Sequence, residues 1–143
     1  MNEMNEFFTR DKANEGVEVP LYLPTGAKSK HWLKLLGVDS GAYTLATARM
    51  RQALQGIQAE ADKIEDKEAR FVFVNGKQEE WKNRVLSACI SAWSFEAECT
   101  EAEKLKFLEA APQIANIVDT FIADRRLFFG MGQTNSKVSQ EAK

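Results

Sequence analysis

Residues 86–129 read LSACISAWSFEAECTEAEKLKFLEAAPQIANIVDTFIADRRLFF, and this stretch decides the fold class. Leu86, Cys89, Ile90 and Trp93 recur at helical spacing, and Thr100 followed three residues later by Glu103 has the form of a capping box. Pro112 sits where a helix starts, and Ile114, Ile117, Val118, Phe121, Ile122 and Phe128 beyond it make a broad apolar stripe. The pattern predicts helices over 78–94, 100–111 and 112–129, the last stopped by Gly130 and Gly132. Two apolar stripes in succession need a cover, so the stretch points to helical packing or partner binding and carries no chemistry of its own.

Upstream, Asp39 and Ser40 are helix-capping residue types, and Ala42, Leu45, Ala46, Met50, Ala53, Leu54, Ile57, Ala61 and Ile64 keep an i, i+3, i+4 rhythm. One long helix is expected over about 40–68. Its end, residues 60–70, has eight charged residues out of eleven, which predicts a solvated or projecting segment. The run FVFV at 71–74, followed by Asn75 and Gly76, reads as a short extended piece or turn.

Nearer the N-terminus, Val17, Val19, Leu21 and Leu23 alternate with Glu18, Pro20 and Tyr22, the period of a strand with one buried face. Pro20 makes it an edge strand. Pro24, Thr25 and Gly26 supply a turn, and residues 32–38 (WLKLLGV) read as the returning strand of a hairpin over about 17–38. Residues 1–15 carry six charges around Phe7 and Phe8 and are expected to be a mobile lead-in. The polar stretch 131–143 is expected to be disordered. The chain is therefore expected to be mainly α with a small N-terminal β-hairpin (α+β), a helical bundle-like single domain over 16–130.

Composition narrows the function classes. At 143 residues and 44% hydrophobic, one domain can bury a core. A formal charge of −2, from 19 basic and 21 acidic residues interspersed, provides no broad field for nucleic acid or an anionic membrane, and neither partner is expected. Residues 1–12 are polar and acidic where a signal peptide is basic and then apolar, and no 18-residue apolar run occurs. Cys89 and Cys99, ten apart with His31 as the single histidine, cannot build a zinc set, so neither metal nor cofactor is expected. His31 has no nucleophile at a familiar spacing, Cys89 falls on an apolar stripe, and Cys99 lies among Glu96, Glu98 and Glu101, which raise a thiol pKa. Gly130-Met131-Gly132 follows a helix, whereas a phosphate loop precedes one. The expectation is a protein that is not an enzyme.

Apolar surface is what remains. Val17, Val19 and Leu21 on the hairpin edge, Trp93, and Phe128 and Phe129 at the end of the last helix are the candidate protein-interaction residues.

The order of GVEVPLYLPTG and HWLKLLGVDS, a long alanine-rich helix, LSACISAWS, an acidic connector and a proline-started helix running to DRRLFFG resembles the tail assembly chaperones of long-tailed bacteriophages. The resemblance covers about residues 17–129, with Trp93, Ser94, Pro112 and Phe128 as its landmarks. It implies a non-enzymatic protein of the host cytoplasm, absent from the mature virion, that keeps the tape-measure protein soluble and helps recruit tail-tube subunits. It also implies a longer companion product made by ribosomal frameshifting. Covering a long helical client calls for many copies, so self-association is expected, with the hairpin edge as its place. The alternatives are a structural tail or head-completion subunit of the virion, or a helical adaptor or regulatory binding protein.

Overall fold

Alternation builds the sheet. In β1 (Val17–Tyr22) Val19 and Leu21 are buried while Glu18 and Pro20 are exposed, and β2 (Lys28–Leu35) answers with buried Leu33 and Leu35. The two strands are antiparallel, with Val17 opposite Leu35, Val19 opposite Leu33 and Pro20 opposite Trp32. The order β1-β2-β3 leaves β1 on an edge, where a proline removes no ladder hydrogen bond. The chain reverses at Gly26, φ 92°, whose N–H donates to the Leu23 carbonyl at 2.7 Å. A register shift follows Pro20, and there the Ser29 hydroxyl donates to the Leu21 carbonyl at 2.6 Å and accepts from the His31 N–H at 3.1 Å.

The computed structural model describes residues 3–130, so the stretch 131–143 expected to be disordered lies outside the described residues. Before the sheet, where a mobile lead-in is expected, Glu3–Phe7 is a 3₁₀ turn and α1 (Arg10–Glu15) a short helix. Ala13 explains the difference: it is buried, and the Gly37 N–H donates to its carbonyl at 3.1 Å.

The helix expected over about 40–68 stops at Ala61, and the next begins at Lys67, well before the expected residue 78. α2 (Gly41–Ala61) begins at Ser40, whose side chain accepts from the Tyr43 N–H at 3.2 Å, and α3 (Lys67–Ala88) begins at Asp66, which accepts from the Ala69 N–H at 2.8 Å. Between them Arg70 turns back and donates to the Ile64 carbonyl at 3.0 and 2.9 Å and to the Glu65 carbonyl at 3.3 Å, satisfying acceptors that the broken helix leaves free. This capping corrects the extended reading of 71–76. The segment lies inside α3, with Phe73 and Val74 half-buried on the helical face that continues through Lys77 and Trp81, while Asn75 and Gly76 are exposed.

A second correction concerns the helix expected over 78–94. It ends at Ala88, and β3 (Ile90–Trp93) pairs antiparallel with β2, Leu33 opposite Trp93 and Leu35 opposite Ile90. Ser94 holds the strand in place: its hydroxyl accepts from the Trp32 N–H at 2.8 Å, and its N–H donates to the Trp32 carbonyl at 3.2 Å. Trp81 and Trp93 therefore sit on a helix and a strand, where one helix is expected to carry both. On the open side of β3, Lys104 donates its ammonium to the Ile90 carbonyl at 2.9 Å.

α4 (Glu101–Ala110) starts from Thr100, whose hydroxyl accepts from the Glu103 N–H at 3.2 Å, and α5 (Pro112–Ile122) carries its proline at the first turn. The helix expected to reach residue 129 stops at Ile122. Asp124 caps a separate 3₁₀ turn (Arg125–Phe129) by accepting from the Arg126 N–H at 3.2 Å, and Gly130, φ 86°, ends it. Arg125 forms a two-pronged pair with Asp39, Nε to Oδ2 at 2.6 Å and Nη2 to Oδ1 at 2.9 Å. The pair clamps the last turn to the loop that enters α2.

The core lies between the inner face of the sheet and α3, α4 and α5. Leu33 and Leu35 from the sheet meet Leu86, Ile90, Leu108, Val118 and Ile122 there. At roughly 2 kcal/mol for each buried aliphatic side chain, this layer is the main favourable term in folding. α2 contributes only the half-buried Tyr43 to it. Elsewhere α2 packs on α3, so the pair extends from the core as a two-helix arm.

Candidate functional site

The sequence W-S-F at 93–95 places two aromatic rings on one side of the strand end, because residues i and i+2 share a face. Trp93 and Phe95 meet edge to face, ring centres 5.2 Å apart at 77°. α4 adds Phe107, 5.9 Å from Trp93 and 5.1 Å from Phe95, and β2 adds His31, 4.6 Å from Phe95. Two hydrogen bonds hold the cluster. The Trp93 indole donates to the Ala97 carbonyl at 2.8 Å, folding the acidic connector back over the ring, and His31 Nδ1 lies 3.0 Å from the Ser94 hydroxyl.

Phe95 and Phe107 form a wall common to two open apolar grooves. One, of about 280 Å³, runs between Trp93, Ala97 and this wall, with Glu103 and Lys106 on its rim. The other, also of about 280 Å³, runs from the wall to the hairpin, floored by Leu21 and Ile114 and edged by Leu23, Pro24 and Ala110. Leu23 is 48% exposed, a large apolar side chain left at the groove mouth. Each groove approaches the lower size of a small-ligand pocket, and side by side they suit an apolar ridge such as one face of a helix. A third cavity, beside Gly37 and Phe128, measures about 10 Å³ and holds no more than about one water.

The structure divides the candidate interaction residues. Val19 and Leu21 are buried and Val17 is partly covered, because the apolar side of β1 faces the core and its edge offers only backbone. Leu21 still reaches the floor of the second groove and half-buried Trp93 lines the first, on opposite sides of the Phe95–Phe107 wall. Phe128, a candidate interaction residue, is only 9% exposed, packed where Gly37 leaves room for its ring. Phe129 is exposed beside it. Both lie at the end of the fold where α1 meets the last 3₁₀ turn, away from the aromatic cluster.

Sequence reasoning missed Phe95, Phe107 and His31. The i, i+2 relation of Trp93 and Phe95 was the available signal, hidden by assigning Trp93 to a helix.

The titratable groups follow burial and pairing. Burial pushes the fully enclosed Cys89 thiol up to about 12 against the weaker opposing pull of Lys104. Burial also raises Cys99, with Lys104 again opposing, so the cause is desolvation where the neighbouring glutamates were expected to act. The Arg125 guanidinium holds Asp39 down to about 2. Among the described residues, no three His, Cys, Asp or Glu side chains come together so as to hold a metal ion, and no helix is long and apolar enough to cross a membrane. Comparison with family models, with curated proteins and with solved structures finds no match to this chain.

Proposed function

We propose that this protein is a non-enzymatic chaperone of bacteriophage tail assembly that receives apolar helical segments of the tape-measure protein in the paired grooves at Phe95 and Phe107. The observation that carries the reading is the aromatic wall itself. Two apolar grooves share it, lie open to solvent and are lined by rigid rings, which supply large contact area at low conformational-entropy cost. A tape-measure protein is long, helical and apolar along much of its length, and helix-in-groove burial keeps such segments from associating with one another without nucleotide hydrolysis. Release follows when tail-tube subunits, which the chaperone helps recruit, enclose the same surface.

The reading places the protein in the host cytoplasm and outside the finished particle. Co-expression with the tape-measure protein tests it, and the wild-type chain should raise the client's soluble fraction. Ala110→Arg fills the second groove from an exposed position and leaves the core untouched, so it should abolish that gain while the protein itself stays folded. Equal client solubility with and without the protein would refute the reading. Mass spectrometry of purified particles should find the protein missing, and its presence in stoichiometric amount would favour a structural tail subunit.

A further inference from the structure

The α2–α3 arm is built unlike the rest of the chain. From Gly41 to Glu60, and again from Lys67 to Arg84, no side chain is buried. Met50, Leu54 and Ile57 on α2, and Phe73, Val74 and Trp81 on α3, stop at partial burial because the two helices cover each other from one side only. Leu45, Phe71 and Val72 are more open still, at 52%, 68% and 63% exposure. In a four-helix bundle, facing helices close a seam that a single helix pair leaves open.

We infer that a second copy of this chain supplies the missing half, the two arms lying antiparallel about a two-fold axis. Area and charge both favour this occupant. The helices are about 31 and 33 Å long and each about 10 Å across, so one face of the arm offers roughly 600 Å². Two such faces bury about 1,200 Å², the lower limit for a stable specific interface.

The charges are unevenly placed along the arm. Its shaft, residues 41–59 and 71–88, has five basic residues (Arg49, Arg51, Lys77, Lys82, Arg84) against two acidic ones (Glu79, Glu80); Lys77 and Arg84 pair with Glu80 and Lys82 with Asp119 of α5, which leaves this side with a net charge of +2 (five basic less Glu79, Glu80 and Asp119). Its tip, residues 60–70, has five acidic residues against three basic ones, and Arg70 is spent on the loop carbonyls. Antiparallel overlap sets each acidic tip against the partner's basic shaft. Parallel overlap would stack tip on tip, where like charges repel. A two-fold arrangement uses one self-complementary surface twice and closes at two copies.

The inference is independent of what the grooves bind. It moves self-association from the hairpin edge, whose apolar side chains are buried, to the arm.

Sedimentation equilibrium of the full chain tests it. The wild type should show a reversible transition from the 16.1 kDa chain to twice that mass. Phe71→Asp with Val72→Asp alters two exposed positions, so the variant should keep its helical circular dichroism and weaken association by at least about tenfold. Glu60→Lys with Glu68→Lys should also weaken it, by setting a basic tip against the partner's basic shaft. A monomer at every concentration, or a dimer that Phe71→Asp with Val72→Asp leaves intact, would overturn the inference. Association left unchanged or strengthened by Glu60→Lys with Glu68→Lys would overturn the antiparallel arrangement.

Discussion

The sheet-centred body and the α2–α3 arm both carry large apolar side chains and reach different degrees of closure. In the body, residues from β1, β2, β3, α3, α4 and α5 converge on Leu33 and Leu35, which are wholly enclosed. In the arm, two longer helices meet along one seam and leave nothing buried but Ala61 and the base of α3. An apolar residue is buried by the number of layers that surround it, and its own hydropathy does not supply the missing layer. The body is closed, whereas the arm and the aromatic grooves leave apolar side chains partly in water.

This contrast can be broken by substitution. The largest effect is expected in the body, where Leu33→Ala should cost about 2–5 kcal/mol in urea unfolding because the cavity cannot collapse within so enclosed a layer. Leu54→Ala in the arm should cost less than half as much, since its side chain is already partly in water. Equal costs would mean that the arm is as closed as the body.

Two glycines sharpen the same comparison. Gly16, φ 85°, would carry a Cβ 2.8 Å from the Leu35 carbonyl, so Gly16→Ala should destabilise by about 1–3 kcal/mol. Gly76 lies within α3 with open space around it, and Gly76→Ala should stabilise by about 0.5–1 kcal/mol. Thermal unfolding of the pair should show midpoint shifts of opposite sign.

Ser94→Ala should cost about 1 kcal/mol, through loss of the hydroxyl that accepts from the Trp32 N–H. It should also loosen the aromatic wall, read as faster hydrogen exchange at residues 90–95.

The smallest effect concerns pH. Asp39 is held at about 2 against an ordinary 3.8, so its pairing with Arg125 stabilises the fold above about pH 4. That contribution fades as pH falls toward 2. Asp39→Asn should be slightly less stable near neutrality and should show a flatter stability profile between these values.

Much of this architecture could be read from the chain because local chemistry and tertiary packing agree there. Thr100 with Glu103, Pro112 and Ser40 mark helix starts as their side chains require. Val17, Val19 and Leu21 alternate because one side of β1 faces the core. The misreadings fall where a nearby cap overrides strand propensity or a distant partner decides. The sequence FVFV has strong strand propensity, and the Asp66 cap with Arg70 on the loop carbonyls draws it into a helix. Leu86, Cys89, Ile90 and Trp93 fit a helix by spacing, and Ser94, bonded to Trp32 across 62 residues, pulls the last of them onto the sheet. Placing Trp93 on that strand is what aligns it with Phe95, so the same error concealed the groove. Phe128 was misjudged because nothing local reveals that Gly37 opens a space for its ring.

The most direct test is a titration of the full chain carrying Trp32→Phe and Trp81→Phe, so that Trp93 is the sole tryptophan and can be excited selectively, with a helical peptide from the apolar part of a tape-measure protein. The account predicts a saturable blue shift as the groove beside Trp93 is covered, absent when Ala97→Arg, at an exposed position lining that groove, is added. An unchanged Trp93 spectrum under conditions in which the same peptide remains soluble and helical would contradict it.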